Sequence, residues 1–378
     1  MTSKVIAAIE FLGLVYYEVM LALITGAFQK MKSQKKLWYL VLAVLPLALM
    51  TMFRAGSIGN DTQGYIDYFD SIKSLSLSQA LDNTRFEKGY ILLNYILSRI
   101  SKNSQILLIV SGAFSYFSLS RWIYKWSAAP GLILCLAVEM LYIDSWMNIV
   151  RQAIAFFILL FAFDDLVERK FWRFLVITVL AAQFHNAAYA FLLAWPVAHL
   201  LRSIKRNSVA AEKRFQKYVL FAGVLAFFFI SPLLNQLINL FPVYSYYVAG
   251  EYMNGEARLA VILKIVVYGL MVYIPSFLGK KNIEKTQTSQ MVIHRFAVLN
   301  IAIMLLANRA TVFMRVANIF SFYALPDYIE SVNGIEYRAN RKILIVFTLI
   351  AFAVYGLVIT LLKTPEWQTT YPFEWCFV

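Results

Sequence analysis

Long apolar runs separated by short polar connections form the dominant pattern of this chain. The runs are continuous rather than alternating in short segments, which predicts helices and disfavours a β-barrel. A membrane-spanning helix needs about 20 mainly apolar residues, and fewer where other helices bury it. Twelve runs meet that requirement: 5–29, 37–53, 104–121, 128–143, 150–167, 171–184, 187–201, 218–240, 258–279, 291–307, 310–330 and 343–362. The pattern therefore predicts an all-α, polytopic integral membrane protein with about 12 transmembrane helices.

The composition also indicates a membrane protein. Of the 378 residues, 61% are hydrophobic and only 15% are charged, whereas a soluble domain has about 45–50% apolar and about 25% charged residues. No polar block is long enough to form a separate soluble domain, so we expect residues 1–378 to form a single membrane domain. The first apolar run follows one lysine, Lys4, without a clear cleavage site, which favours a retained helix over a signal peptide.

Basic residues lie in short clusters between the apolar runs, so membrane topology accounts for the net charge of +14 without nucleic acid as a partner. Six connections hold 21 of the 35 lysines and arginines: 30–36, 121–127, 168–173, 202–217, 280–290 and 337–342. If the twelve spans are correct, all six connections lie on one face of the membrane, and the positive-inside rule makes that face cytoplasmic. The cytoplasmic connection 202–217 is also the best candidate for a linker.

This topology places the large polar loop 54–88 on the outer face. It requires that segment 88–101 does not cross the membrane completely, because a full crossing would divide the basic clusters between the two faces. We therefore predict that 88–101 is re-entrant or lies on the membrane surface. The polar connections 144–151, 185–186 and 308–309 fall on the same outer face, so the unusual polar residues meet there.

Side chains suited to bind sugars or phosphates are concentrated in the outer loop: Arg54, Asp61, Thr62, Tyr65 and Glu87. Carboxylates and amides bind sugar hydroxyls, and aromatic rings pack against the apolar faces of sugars. The alternative is an ordinary surface turn in which Asp61 or Thr62 caps a helix.

Arg151 opens a predicted helix at the outer face. A helix N-terminus attracts anions, and a guanidinium group there adds bidentate geometry for phosphate. The alternative is a salt bridge with Asp144, which precedes Arg151 by seven residues and shares its face if the helix extends that far back.

Two further polar residues, Arg315 and His185, lie in or between apolar runs, where a polar side chain is costly unless it has a partner or a function. Arg315 falls six residues after Arg309, about 9 Å further along one helix, and an arginine at that depth costs at least ~2.5–3.5 kcal/mol without a partner or a wet cavity. We expect Arg309 and Arg315 to bind substrate, although a structural arginine that reaches outward or pairs with a carboxylate is the alternative. His185 lies between two apolar runs and titrates near neutral pH, so it could exchange a proton with a substrate. A hydrogen-bonded packing residue is the alternative for His185.

Several familiar chemical motifs are missing from the sequence. It has no Walker A motif, no G-x-G-x-x-G, no H-E-x-x-H, no cysteine pair with zinc spacing and no D-x-D. We therefore predict no metal and no cofactor, and both nucleotide-driven transport and metal-dependent hydrolysis become less favoured.

Five segments occur in an order that resembles the EpsG-like family of exopolysaccharide polymerases of the Wzy type, the type that includes O-antigen and capsule polymerases: RAGSIGNDTQGYIDYF, FEKGYILLNYIL, VRQAIA, FHNAA and MRVANIF. The likeness covers about residues 50–325. The family pattern maps onto Arg54, Gly59, Asp61, Thr62, Tyr65, Glu87, Arg151, Gln152, His185 and Arg315. After the last arginine motif the family often has Tyr-Phe, where this chain has Ile319 and Phe320.

The resemblance implies a glycosyltransferase that joins polyprenyl-diphosphate-linked oligosaccharide repeat units at the outer face of the bacterial cytoplasmic membrane. It implies the lipid-linked oligosaccharide and membrane lipid as partners, with flippase and chain-length regulator proteins beside them. Fixed arginines would stabilise the departing diphosphate, and Asp61, Glu87 or His185 would act as the base. A polysaccharide ligase, a flippase or transporter, and a non-catalytic scaffold subunit are the alternatives. A transporter would place its charged residues near the membrane midplane.

Overall fold

The computed structural model describes residues 3–82, 85–199, 209–240, 258–278, 288–310, 312–364 and 370–377. Over these residues the chain is helical, apart from connections and an isolated antiparallel bridge between Arg54 and Trp375. The α-helices are α1 Ser3–Thr25, α2 Ser33–Phe53, α3 Thr62–Ile72, α4 Leu77–Leu81, α5 Lys88–Ile100, α6 Gln105–Trp126, α7 Pro130–Glu139, α8 Tyr142–Asn148, α9 Val150–Val167, α10 Phe171–Ala182, α11 Ala194–His199, α12 Val209–Leu240, α13 Arg258–Leu278, α14 Thr288–Ala307, α15 Val312–Ser321, α16 Ala324–Asn333 and α17 Arg338–Lys363. A 3₁₀ helix spans Asn186–Leu193. The all-α prediction is confirmed.

Within the described part of the chain, five helices are long and apolar enough to cross a membrane: α1, α2, α6, α14 and α17. The bent pair α7 and α8 makes a sixth if the two helices form one span. The chain is thus a membrane protein, whereas the total of about 12 spans stays a prediction. Helix α9 has suitable length, but Arg151, Asp164 and Asp165 make it less apolar.

Several predicted spans are interrupted in the structure. The described residues of the run 187–201 form the 3₁₀ helix and the six-residue α11. The run 310–330 contains two helices, α15 and α16, of ten residues each. Helix α5, in the predicted re-entrant segment, has 13 residues, or about 20 Å at 1.5 Å per residue. All these helices are shorter than the ~30 Å hydrocarbon core of a bilayer, so apolar composition alone did not reveal where each helix ends.

The second half of the predicted linker 202–217 is helical. Residues 202–208 lie outside the described residues, but α12 begins at Val209 and continues as a helix of 32 residues. Glu212 is buried there, and its carboxylate accepts a hydrogen bond from Arg295 Nη2 at 2.9 Å. A charged side chain can be buried when it is paired with an opposite charge. This pairing explains why the polar stretch after Val209 forms part of a packed helix.

The described residues fall into two compact units. The first comprises 1–165, 172–189 and 343–378, and the second comprises 166–171 and 190–342. In the first unit α2 packs on α6, α1 packs on α7, and the polar loop 54–88 contains α3 and α4, which pack on α5. In the second unit α14 is central and contacts α12, α13, α15 and α16.

Candidate functional site

Arg54 follows the last residue of α2 and is almost completely buried, with 1% of its surface exposed. Its Nη2 donates to the Met147 carbonyl at 2.8 Å, and its Nη1 donates to the Thr51 carbonyl. The buried Nε has no hydrogen-bond partner among the described residues. Burial lowers the pKa of the Arg54 guanidinium to about 10, so the group is still a cation at neutral pH. Backbone carbonyl groups therefore hold this buried positive charge in place.

The turn before α3 depends on Gly59 and Asn148. Gly59 has a positive φ of 84°, and a Cβ atom there would lie 3.2 Å from Asn148 Oδ1. The same Oδ1 accepts a hydrogen bond from the Asp61 backbone N–H at 3.2 Å. Asp61 stands at the N-cap of α3, but its side chain makes no capping hydrogen bond and is exposed. Thr62 is buried. The structure thus gives no support to the alternative in which the Asp61 side chain caps the helix.

Arg151 is fixed by a carboxylate, a phenol and an aromatic ring. Its Nη1 donates to Glu87 Oε2 at 2.5 Å, and the side chain also hydrogen-bonds to the Tyr65 hydroxyl. The guanidinium carbon lies 4.5 Å from the centroid of the Phe86 ring and 5.9 Å from that of Tyr90. These contacts combine a charge-assisted hydrogen bond with cation–π attraction. The buried Nε has no hydrogen-bond partner among the described residues.

The alternative in which Arg151 pairs with Asp144 is wrong. Helix α8 ends at Asn148 and α9 begins at Val150, so the two residues are not on one continuous helix. The Asp144 side chain instead hydrogen-bonds to Thr370 and interacts electrostatically with Lys363. The carboxylate partner of Arg151 is Glu87, which lies 64 residues earlier in the chain.

Tyr65 lies at the centre of this group of residues. It is buried, and its ring centroid lies 5.9 Å from that of Tyr90. Besides its hydrogen bond with Arg151, it interacts electrostatically with Asp61 and Arg54. Burial raises the pKa of the Tyr65 phenol above its ordinary value, so the hydroxyl is neutral at physiological pH. Tyr65 therefore orients polar neighbours rather than acting as a base.

The turn that contains His185 is joined to the same group of residues through Glu87, which binds the backbone of the next residue, Asn186. Glu87 Oε1 accepts a hydrogen bond from the Asn186 backbone N–H at 3.1 Å, while its other oxygen bonds Arg151. His185 Nδ1 accepts from the Ala187 backbone N–H at 3.2 Å, which assigns the ring proton of a neutral imidazole to Nε2. Glu87, the residue before α5, thus connects the turn that contains His185 with the Arg151 guanidinium.

The structure brings six of the ten predicted site residues together in the first unit: Arg54, Asp61, Tyr65, Glu87, Arg151 and His185. Thr62 and Gln152 are their buried chain neighbours. Arg309 and Arg315 belong to the second unit. Arg309 lies 4.3 Å above the Phe227 ring, and Arg315 is exposed on α15. Arg309 follows the end of α14 at Ala307, whereas Arg315 lies on α15, which begins at Val312.

Sequence reasoning missed four residues that shape the site. Asn148 binds the Asp61 backbone, Phe86 and Tyr90 lie against Arg151, and Asn186 supplies a backbone N–H to Glu87. The spacing Phe-Glu-x-x-Tyr around Glu87 is a usable signal for the two aromatic residues. No group of three or more His, Cys, Asp or Glu side chains in the described ranges is arranged to hold a metal ion.

A family model described as the EpsG family matches residues 37–375. The amylovoran biosynthesis protein AmsC of Erwinia amylovora is 25% identical over 165 residues, which cover 42% of this chain. That match covers 44% of the relative, so less than half of its length is represented. No solved structure matches the chain.

Proposed function

Because the chain belongs to the EpsG family, we propose that it is a membrane-embedded polysaccharide polymerase. In this proposal it joins polyprenyl-diphosphate-linked oligosaccharide repeat units into an exopolysaccharide at the outer face of the bacterial cytoplasmic membrane. The amylovoran biosynthesis relative also supports a role in exopolysaccharide biosynthesis. One observation carries the proposed polymerase activity: the fixed Arg151 guanidinium, with the exposed Asp61 and the partly exposed His185 near the same group of residues.

The leaving group of such a reaction is a lipid diphosphate, which needs fixed positive charge in a site with little water. Arg151 is oriented by Glu87, Tyr65 and the Phe86 ring before any substrate arrives. Arg54 adds a second cation that is held by carbonyl oxygens. A planar guanidinium group binds phosphate oxygens through parallel hydrogen bonds, which a lysine does not reproduce. We assign stabilisation of the departing diphosphate to Arg151, with Arg54 as its supporting charge.

The chemical step has a simple balance. A hydroxyl oxygen of the acceptor sugar attacks the anomeric carbon of the donor, the bond from that carbon to the diphosphate oxygen breaks, and the hydroxyl proton passes to a base. Asp61 and His185 are the proposed bases because Glu87 already holds Arg151 and the Asn186 N–H; Glu87 remains the third candidate. Thr62, Tyr65 and Gln152 are proposed sugar contacts.

Arg309 and Arg315 remain proposed substrate-binding residues of the second unit. Their arginine side chains suit a second lipid diphosphate, which a polymerase with two lipid-linked substrates requires. A flippase and a chain-length regulator remain proposed partners.

The test uses purified protein in lipid vesicles with a synthetic lipid-linked repeat unit, and it measures the ladder of chain lengths. Arg151→Lys keeps the charge but loses the planar fork, so we expect most polymer to disappear while the protein still inserts. Arg173→Lys is the matched control, because that side chain is 67% exposed and pairs with Asp165 at 3.3 Å. Normal chain lengths from Arg151→Lys would overturn the assignment.

A deletion strain separates the polymerase from its nearest competitor. Accumulation of single lipid-linked repeat units supports a polymerase, because elongation is then the missing step. Accumulation of long, undelivered chains would instead identify a ligase and refute the proposal.

A further inference from the structure

A second feature of the first unit lies next to the candidate site: an apolar groove of about 490 Å³ between α5, α6, α9 and α10. It is lined by aliphatic and aromatic side chains, among them Leu93, Phe114, Ile158 and Ile177. Leu180 lines the groove and is also 51% exposed. The groove is therefore open at its side, and an apolar chain can enter it laterally.

Three helices place one end of this groove beside the candidate site. On α9, Ile154, Ile158 and Phe161 follow Arg151 at intervals of three, four and three residues, which puts all four on one helix face. From Arg151 to Phe161 is about 15 Å along the helix axis, or half of the ~30 Å hydrocarbon core.

The other two helices lead to the same place. On α5, Leu93 follows by one turn the Tyr90 ring that lies against the Arg151 guanidinium. After α10, the groove residue Phe184 is the chain neighbour of His185.

Each end of the groove has an arginine that pairs with a carboxylate, Arg151 with Glu87 and Arg121 with Asp164, and Arg151 differs in that it belongs to the candidate site. At the near end, Arg151 Nε is buried and has no hydrogen-bond partner within the described residues. At the far end, the Arg121 guanidinium carbon lies 4.7 Å from the Phe161 ring centroid. The groove therefore suits a molecule with one anionic end and one long apolar chain, oriented with its anion at Arg151.

We propose that this groove binds the polyprenyl chain of a lipid-linked oligosaccharide, with its diphosphate at Arg151. This inference rests on the proposed function and adds to it a lipid-binding subsite. A polyprenyl diphosphate carries its charge at one end of a single apolar chain, which matches a groove whose lining on α9 begins one helical turn after Arg151. We assign the groove a uniform binding role, equal in substrate and transition state, and the loss of uniform binding raises KM and leaves kcat nearly unchanged.

Two neighbouring positions of α10 provide a matched test. Ile177→Trp fills the groove, whereas Val176→Trp adds the same ring at an adjacent side chain that is 65% exposed and does not line the groove. Removing or adding small groups in an apolar pocket changes selectivity about 10–200-fold. We expect Ile177→Trp to raise KM for a long-chain lipid-linked repeat unit at least about tenfold, and Val176→Trp to leave it within about twofold.

Direct binding makes the test independent of turnover. Purified protein is titrated with undecaprenyl diphosphate and, separately, with inorganic diphosphate. We expect Ile177→Trp to weaken the binding of undecaprenyl diphosphate and to leave the binding of inorganic diphosphate unchanged. If Ile177→Trp does not fold, Leu180→Trp, at the open side of the groove, should have the same effect. Equal affinities for undecaprenyl diphosphate in wild type and in folded groove variants would overturn the inference.

Two further outcomes keep the lipid subsite and the proposed function separate. If the groove variants elongate long-chain substrates like the wild type, the subsite is wrong and the polymerase proposal stands. If the wild type makes no polymer but binds undecaprenyl diphosphate through the groove, the polymerase proposal fails and the subsite stands. Displacement of undecaprenyl diphosphate by an equal amount of uncharged diacyl lipid would identify a general lipid site and overturn the inference.

Discussion

The pairing of Glu87 with Arg151 gives the sharpest quantitative prediction. Glu87→Gln keeps the size of the side chain and one acceptor oxygen, but it removes the negative charge that holds Arg151. The two side chains are 12% and 21% exposed, and their atoms are 2.5 Å apart, so solvent screens this pair less than a surface ion pair. A hydrogen bond to a charged group contributes about 1.5–3 kcal/mol, which corresponds to about a 10- to 150-fold loss in kcat/KM if that orientation is required for turnover.

A double-mutant cycle tests whether the two residues act as one unit. Glu87→Gln, Arg151→Lys and the combined variant are compared by kcat/KM for elongation of a lipid-linked repeat unit in vesicles. If Glu87 acts through Arg151, the second substitution adds little to the first, and the coupling energy is about 1.5–3 kcal/mol.

The control for this cycle is the exposed pair Glu168 and Lys170, whose side chains are 43% and 48% exposed. Such pairs contribute about 0–1 kcal/mol to stability, and Glu168→Gln should leave kcat/KM within about twofold. Additive losses at Glu87 and Arg151, with coupling below about 0.5 kcal/mol, would refute the reasoning, because Glu87 would then have a role of its own.

Three further predictions address the turn, the base and the central phenol. Asp61→Asn should lower kcat by about 100- to 10,000-fold if Asp61 is the base; a loss of only a few-fold, measured with folded protein, would transfer that role to His185. Gly59→Ala should lower the thermal midpoint, because φ is 84° and Asn148 is close, whereas Gly64→Ala, with no atom within 4 Å of the new Cβ, should not. Burial raises the pKa of Tyr65, so the stability that its neutral phenol contributes is complete below about pH 10 and is lost as pH rises through the higher folded-state value. Tyr65→Phe should therefore lose less stability than wild type above about pH 10 in melts over pH 8–11; identical pH profiles would exclude that linkage.

Sequence reasoning predicted best those helices whose position follows from the length of one apolar segment. Helices α1, α2 and α6 agree closely with predicted runs, since a long apolar segment has few other stable structures in a membrane. The interruption between α7 and α8 was not predictable in this way. It contains Leu141 in a left-handed conformation with φ 59°, and nothing in a continuous apolar run indicates such a residue.

The candidate site was predictable in its residue types but not in its contacts. Charged motif residues such as Asp61 and Arg151 are unusual in so apolar a chain, and for this reason the sequence alone identified them as candidate site residues. The choice of Glu87 over Asp144 as the partner of Arg151 depends on where α8 ends and on the packing of α5 against residues 183–186. Those are tertiary effects between segments distant in sequence, and local periodicity carries no information about them.

The bridge between Arg54 and Trp375 determines when the motif turn is completed during protein synthesis. The Ala55 N–H donates to the Glu374 carbonyl and the Cys376 N–H donates to the Phe53 carbonyl, each at 2.9 Å. These partners emerge from the ribosome about 320 residues after Arg54, which takes about 16–64 s at 5–20 residues per second. Throughout that interval a nascent chain already contains the motif turn, while the backbone groups beside it lack their final partners. Residues 374–376 therefore complete the backbone hydrogen bonds beside Arg54, and truncated translation products would contain the sequence motif without these bonds.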